Sequence, residues 1–290
     1  MILGFGNGAA YGCTTSTTLK WFPDKKGLAG GLSAAGFGFG PIIFAPLAVK
    51  LIETNGVLYA FRTLGIANLI VVCGFALLVS APKKLESDTK IANDDKKPSQ
   101  IMKTPIFWLL WVSYIFGCIS GLMIIGHASP IAQEHLGFTL ARATMIVSVV
   151  AISNTVGRLF WGMVSDKVGR YNAVMLMFIT TFIGLLLLGL NFSAPLAVLG
   201  IMLIALCFGG LLGTFPGITA DNWGPTYNGS NYGFMFTAYG IAAVIGPRLA
   251  AVTKESSGGS YSLAFLVTGI LSIIGLLLIL IIKKMSKKEA

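Results

Sequence analysis

One arginine lies inside an apolar run of the sequence, where a charged side chain is costly. Arg158 falls within residues 139–164, a stretch long and apolar enough to cross a membrane. A charge near the bilayer centre costs about 2.5 kcal/mol or more, so it usually faces a partner or a water-filled cavity. A guanidinium is always ionised, and its planar fork matches a carboxylate through two hydrogen bonds. Arg158 is therefore a candidate anion-binding residue.

Two further side chains share a helical face with Arg158. Asn154 lies one turn earlier and Trp161 nearly one turn later, so an amide, a guanidinium and an indole can form one wall. The alternative is that Arg158 extends toward lipid headgroups at the membrane surface. It lies only about 7 Å along the axis from Ser153, near the middle of the span, so both interpretations fit the sequence.

A short charged segment follows Arg158 and separates two apolar runs. Within it, Gly162 permits close approach of helices, Asp166 can cap the next helix or pair with a cation, and Gly169 allows a sharp reversal. Together with Arg170, these residues predict a tight surface turn between two spanning helices.

This pattern, Gly162-x-x-x-Asp166-Lys-x-Gly169-Arg170, resembles the signature loop of the major facilitator superfamily of secondary transporters. Tyr171 departs from it, because a further basic residue is common there. The resemblance implies an all-α, polytopic membrane protein that works by alternating access, with a gating role for this loop.

Composition also favours a membrane protein. The 290 residues are 55% apolar and 11% charged, with a mean hydropathy of +0.81. The net charge of +10 would suggest nucleic-acid binding in a soluble protein. Here the basic residues lie between apolar runs and indicate topology, so no nucleic-acid partner is expected. The four cysteines have neither metal-ligand nor redox spacing, and we expect no metal or cofactor.

Nine apolar segments have the length of a membrane span. They cover residues 1–20, 27–50, 57–81, 105–127, 139–164, 171–191, 195–217, 231–252 and 262–282. The polar stretch 82–104 is rich in Lys, Asp, Ser and Pro and predicts a flexible linker. The predicted organisation is a partial N-terminal transmembrane half at 1–81, this linker, a six-helix half at 105–284, and a tail at 285–290.

The distribution of basic residues predicts the orientation. Fifteen of the 21 lie in alternate loops together with the linker and the C-terminus, against four in the opposite loops. By the positive-inside rule, the linker and the C-terminus are cytoplasmic. We expect a multi-pass protein of the plasma membrane, with the lipid bilayer as its surroundings.

A second resemblance is more specific. Residues 4–11 (Gly-Phe-Gly-Asn-Gly-Ala-Ala-Tyr) and 20–29 (Lys-Trp-Phe-Pro-Asp-Lys-Lys-Gly-Leu-Ala) resemble the fourth helix, the following loop and the fifth helix of the oxalate/formate antiporter family. This carboxylate-transporting branch of the superfamily has twelve spans in two six-helix halves. The resemblance implies nine of the twelve helices here, with three preceding them in the complete transporter, and a chain that is inactive alone.

The resemblance also indicates a binding site. It implies that Arg158, in the eighth helix, contributes to carboxylate binding, while the family's second basic anchor is a Lys in the eleventh helix. The aligned residue here is Tyr239, which is neutral. One arginine and a phenol suit a monoanion such as formate, lactate or pyruvate better than a dianion such as oxalate. Proton symport and exchange against a counter-anion are equally consistent with this pattern.

Aromatic and glycine residues complete the candidate cavity. Tyr11, Phe208 and Phe236 lie in helices that would line it, although packing between helices or contact with lipid would explain them equally well. Gly36 and Gly40 lie on one face of the second segment and predict close helix packing, not nucleotide binding.

Two other classes of protein compete with a transporter. A channel or structural membrane protein would carry no buried cation facing a cavity, which Arg158 argues against. A membrane-embedded enzyme would need a nucleophile, a metal cluster or an acid–base pair within the spans. Asp24, Asp166 and Asp221 lie instead in segments predicted as surface loops. The sequence therefore predicts a transporter of small organic anions and not an enzyme.

Overall fold

The protein is a bundle of long helices in a computed structural model, which describes residues 2–80, 82, 95–190 and 193–289. Nine helices of 20 residues or more occur among these residues, and no strand does. They are α1 (Ile2–Trp21), α2 (Lys26–Asn55), α3 (Val57–Ala76), α5 (Pro105–Pro130), α6 (Leu140–Val168), α7 (Arg170–Gly189), α8 (Ala194–Trp223), α9 (Asn228–Ser256) and α10 (Ser262–Glu289). A short helix, α4 (Pro98–Ile101), precedes α5. The predicted all-α fold is confirmed.

Seven of the described helical segments are long and apolar enough to cross a membrane, namely α3 and α5 to α10. The first two long helices are not among these seven. In α1, residues 14–18 are all Thr or Ser, which lowers the hydropathy of a helix that is otherwise long enough to span.

Proline and glycine mark several helix boundaries. Pro105 occupies the first turn of α5, where its missing N–H is not needed and its fixed φ suits the helix. Gly56, Gly169 and Gly224 follow α2, α6 and α8 with φ of 82°, 89° and 85°. Side chains other than glycine rarely adopt these angles, so each glycine ends its helix sharply and lets the chain reverse.

The six helices after the linker pack around an apolar core. Helix α8 lies at its centre and contacts α6 and α7, while α5 packs on α9 and α7 on α10. Helices α1 and α2 pack against this unit, whereas α3 buries only Ala60 and exposes most of its side chains. Helix α10 continues through Glu289, across the predicted boundary at residue 284.

The last part of the predicted linker is anchored to the bundle and is not a free chain. The N–H of Lys96 donates to the carbonyl of Trp223 (3.0 Å), and Asn231 Nδ2 donates to the carbonyl of Lys96 (2.9 Å). Ile101 is completely buried. Residues 83–94 lie outside the described residues. The end of the bundle where residues 95–104 pack is called the linker end below.

Candidate functional site

Glycines on α6 and α8 hold the backbone that carries Arg158. A Cβ at Gly157 would collide with the carbonyl oxygen of Leu206, and one at Gly209 would collide with that of Asn154. Only residues without side chains allow the two helices to approach this closely. The contact fixes Asn154 and Arg158 against the central helix of the six-helix unit.

The guanidinium of Arg158 lies inside the bundle. Its Nε donates to Asn154 Oδ1 (3.2 Å), and its Nη1 donates to the carbonyl oxygen of Ala34 on α2. Ala34 is completely buried and lies seven residues after Gly27, about 10 Å along α2 from the linker end. The side chain of Arg158 therefore bonds inside the bundle and does not extend to the lipid headgroups, which was the alternative interpretation of the sequence. Among the described residues, no carboxylate forms an ion pair with Arg158.

Four tyrosines surround this guanidinium. Arg158 lies within electrostatic reach of Tyr11 on α1, Tyr114 on α5, and Tyr232 and Tyr239 on α9. The sequence indicated Tyr11 and Tyr239 but missed the other two. Both missed residues lie in apolar runs, where a buried aromatic has the same sequence signal as an ordinary core residue.

The predicted aromatic residues form one continuous wall. The ring of Phe236 stacks on Tyr239 at 4.8 Å between centroids and 4° between planes. Phe208 lies 6.3 Å from Tyr239, and Tyr11 lies 5.2 Å from Phe236. The structure therefore brings together all six predicted binding residues, since Asn154 and Arg158 lie beside the same rings.

Tyrosine hydroxyls make further contacts beside this wall. The hydroxyls of Tyr114 and Tyr232 lie 3.4 Å apart, and that of Tyr11 donates to the carbonyl of Leu212 (3.3 Å). Tyr114 stacks on Phe215 at 3.9 Å. The side chains of Tyr11, Tyr114, Phe215 and Tyr232 are buried and come from four helices.

The charged turn joins α6 to the start of α2. Asp166 accepts hydrogen bonds from the backbone N–H groups of Gly27 (2.9 Å) and Leu28 (2.8 Å), and Arg170 Nη1 donates to it at 2.7 Å. The carboxylate thus pairs with a cation, as the sequence suggested. The helix it caps is α2, not the next helix α7, because Asp166 lies in the last turn of α6 and faces α2.

A second carboxylate extends this network. Asp221 lies in the last turn of α8, not in a loop, and its two oxygens pair with Lys26 Nζ (2.7 Å) and Arg170 Nε (3.0 Å). Arg170 also donates to Ser165 (2.7 Å). The sequence missed the pair of Lys26 and Asp221, since 195 positions separate them.

Small residues form a seam between α2 and α6. A Cβ at Gly27 would collide with the carbonyl of Gly162, and one at Gly31 with the carbonyl of Arg158. At Gly38 it would lie 2.7 Å from Thr155 Oγ1. These contacts define the α2–α6 seam, which covers only the part of both helices nearer the linker end.

Gly36 and Gly40, which the sequence predicted to pack closely against a neighbouring helix, meet none in the described part of the chain. No described atom outside α2 lies within 4 Å of where their Cβ atoms would stand. The glycines that meet a neighbour lie on a different face of the helix. Composition identified a glycine-rich packing helix but not its packing face.

The described residues hold no group of three or more His, Cys, Asp or Glu side chains that could bind a metal. Apolar helices on both sides of a polar linker, with a partly buried arginine between them and a charged network at one end, are typical of a multi-pass membrane protein. The sequence pattern described as Major Facilitator Superfamily matches residues 1–247 and 123–290. The chain belongs to the major facilitator superfamily, and seven long apolar helices among its described residues make it a multi-pass membrane protein.

Similar proteins agree with this assignment and with the predicted resemblance. The chain is 32% identical over 266 residues to the oxalate:formate antiporter of Oxalobacter formigenes, covering 89% of this chain and 62% of that protein. It is 27% identical to apicoplast pyruvate carrier 1 of Toxoplasma gondii, covering 81% of this chain and 55% of the carrier. The chain thus spans little more than half the length of these relatives.

The fold also resembles a solved transporter. The crystal structure of the fucose:proton symporter of E. coli superposes with a TM-score of 0.73, covering 93% of this chain and 72% of the symporter. At 13% identity this likeness concerns the fold alone.

Proposed function

We propose that this chain belongs to a secondary active transporter of small organic anions, with Arg158 binding the carboxylate of the substrate. The observation that carries the proposal is a partly buried cation whose described hydrogen-bond acceptors, Asn154 Oδ1 and the carbonyl of Ala34, are both neutral. A desolvated charge without a counter-charge favours a ligand of opposite sign. A carboxylate can accept two hydrogen bonds from one guanidinium.

The surroundings of Arg158 favour a small monoanion. Phe208, Phe236 and Tyr239 provide flat, apolar walls, while the tyrosine hydroxyls can donate to a second oxygen of the substrate. A dianion would bring a second negative charge to a site where Tyr239 is neutral. Formate, lactate and pyruvate fit this arrangement better than oxalate. Two relatives are named for carboxylates, which supports the substrate class.

The network at the linker end is proposed to control access to this site. Asp166 and Asp221 join helices from before and after the linker, so they hold the two halves together at that end. The α2–α6 seam lies at the same end. We assign this conformation to the state closed toward the cytoplasm, in line with the positive-inside distribution of charge.

The positions of the acidic residues bear on whether transport is coupled to a proton or to a counter-anion. The acidic residues in the described part of the chain lie at or near helix ends or beside the linker, and none of them forms an ion pair with Arg158. A proton carried through this site would therefore travel on the substrate carboxylate, on a tyrosine, or on groups supplied by further helices. Exchange of one carboxylate for another needs none of these groups.

Transport itself is proposed to need further helices beside α1 to α3. Helix α3 buries only Ala60, and Leu58, Phe61, Leu69 and Ile70 are all more than 60% exposed. Lipid can cover such a surface, but a cavity beside Arg158 needs protein on every side. Saturable carboxylate uptake by the 290-residue chain alone would contradict this requirement without contradicting the binding site.

Equilibrium binding tests the proposed function without requiring transport. The purified chain in lipid nanodiscs is titrated with formate, pyruvate and oxalate, and with acetamide as a neutral control of similar shape. We expect saturable binding of the monoanions, weaker binding of oxalate, and none of acetamide. Absence of saturable binding for every carboxylate, with the chain folded, would contradict the proposal.

A further inference from the structure

Ser16 of α1 lies against the first turn of α9, which begins with the polar residue Asn228. Ser16 lies five residues beyond Tyr11 on α1, and Asn228 begins α9, four residues before Tyr232. At 1.5 Å per residue these steps are about 7 Å and about 6 Å along the two helices. Tyr11 and Tyr232, whose ring centroids are 6.2 Å apart, thus lie between one and two turns from Ser16 and Asn228 along their helices and within electrostatic reach of Arg158.

Both residues are buried with polar atoms that have no partner in the described part of the chain. Asn228 is 1% exposed, and neither its Nδ2 nor its Oδ1 forms a hydrogen bond. Ser16 is 8% exposed, and its Oγ is likewise unpaired. Buried polar groups are nearly always hydrogen-bonded, because they lose their contacts with water. Ser16 lies against Gly229, the residue next to Asn228, so unpaired groups occur on both helices near this contact, where a ligand can satisfy them in another state.

The hydroxyl of Ser16 lies against the first turn of α9. A Cβ at Gly229 would stand 3.2 Å from Ser16 Oγ. The first N–H groups of a helix have no partner within the helix, and its dipole makes this end partly positive. Lys97, with its Nζ 5.9 Å from the ring centroid of Tyr227, adds a full positive charge beside the same turn. Together these groups suit an anion.

Four carboxylates lie at this end among the described residues. Asp166 and Asp221 pair with Arg170, and Asp221 also pairs with Lys26. Asp24 is exposed to solvent, and Asp95 accepts a hydrogen bond from the backbone N–H of Thr226 (2.8 Å). The positive charge of Lys97 opposes that of Asp95 beside the first turn of α9.

We infer that Ser16, Asn228 and the first turn of α9 form a second, transient anion site that receives the carboxylate after it leaves Arg158. Helix α1 precedes the linker and α9 follows it, so their contact must open when the cavity opens toward the linker end. In the conformation described here Ser16 and Asn228 are buried, so the site is closed to solvent. The inference rests on the proposed carboxylate transport.

Thiol reactivity measures the charge preference of this site. In a background with the four native cysteines replaced by alanine, Ser16→Cys is compared with Ser230→Cys, an exposed position on the same first turn of α9. Each variant also carries Asp166→Asn to weaken the closed linker end. Membranes are treated with the anionic sulfonatoethyl and the cationic trimethylammonioethyl methanethiosulfonates. The ratio of the two rates reports the local preference for an anion.

We expect the anionic-to-cationic rate ratio to be roughly tenfold higher for Ser16→Cys than for Ser230→Cys, as a local positive potential raises the concentration of anions. Adding Asn228→Asp should bring the two ratios together. Equal ratios, or no reaction of Ser16→Cys with either reagent, would overturn the site. Because the assay needs no carboxylate, a chain that showed this ratio but bound no carboxylate in nanodiscs would refute the transport proposal and leave the anion site standing.

Discussion

Arg158 donates a hydrogen bond to the carbonyl oxygen of Ala34, and this bond joins a helix that follows the linker to one that precedes it. A carboxylate that binds the same Nη1 would replace this bond. Substrate binding would then remove a contact between the two halves beside the α2–α6 seam. A ligand shifts a conformational equilibrium only through such differential interactions. The geometry thus connects occupancy of the site with opening of the linker end.

Replacing Asp166 by asparagine should change the rate of transport more than the affinity for substrate. The neutral amide loses the charge-assisted bonds to the N–H groups of Gly27 and Leu28 and the ion pair with Arg170. Hydrogen bonds to charged groups contribute about 1.5–3 kcal/mol each. We expect roughly a tenfold change in the exchange rate of the transport-competent protein, with a nearly constant half-saturation concentration.

The matched control for this substitution is Lys167→Gln, which removes an exposed charge from the neighbouring position. Lys167→Gln should leave the exchange rate and the half-saturation concentration unchanged. If Asp166→Asn instead raised the half-saturation concentration and left the maximal rate intact, the carboxylate would belong to the binding site and not to the closure.

Replacing Tyr239 by lysine should shift the preference from monoanions toward oxalate. The ring of Tyr239 lies beside Phe208 and Phe236 and within reach of Arg158, so a lysine there would add a second cation to the cavity. At about 4 Å and an effective dielectric constant of about 20, a pair of charges interacts with about 4 kcal/mol. Desolvation of the lysine offsets part of this gain.

We therefore expect the ratio of oxalate to formate affinity to rise by about tenfold or more. Tyr239→Phe, which keeps the ring and removes only the hydroxyl, should not raise it. Titrations in nanodiscs measure both variants. An unchanged ratio in a folded Tyr239→Lys variant would show that this position does not face the substrate.

Two glycines of α2 provide a stability test of the α2–α6 seam. A methyl group at Gly31 would collide with the carbonyl of Arg158, whereas one at Gly36 meets no described atom outside α2 within 4 Å. Overpacking costs about 1–3 kcal/mol, while alanine is favoured over glycine in a helix by about 1 kcal/mol. Gly31→Ala should lower the thermal unfolding midpoint, and Gly36→Ala should maintain or raise it. Equal midpoints would argue against the seam.

The local features of the site could be predicted from the sequence. Arg158 and Asn154 lie one turn apart in an apolar run, and the spacing from Gly162 to Arg170 indicates a charged turn, because helical periodicity relates neighbours along the chain. The nine apolar segments of the sequence also predicted the nine long helices that occur among the described residues. These inferences needed no knowledge of which helices touch.

Contacts between distant segments could not be predicted in the same way. The residues of the pairs Asp166–Gly27 and Lys26–Asp221 are separated by 139 and 195 positions. From the sequence alone, either carboxylate fits equally well with a cation or an N–H group closer in the chain. Hydropathy does not show which face of α2 meets α6. The sequence therefore predicted close packing at Gly36, whereas Gly31 is the glycine that meets α6. The polar composition of residues 95–104 likewise gave no sign that Ile101 is buried.

The central claim, that the guanidinium of Arg158 binds the carboxylate, is tested most directly by titrating Arg158→Lys with formate in nanodiscs. Lysine keeps the charge but loses the planar fork and with it one charge-assisted hydrogen bond, about 1.5–3 kcal/mol. Arg142→Lys, an exposed position at the far end of α6, is the control. We predict a loss of affinity of at least about tenfold for Arg158→Lys, with membrane insertion and formate binding by the control unchanged. Undiminished formate binding by Arg158→Lys would contradict the account.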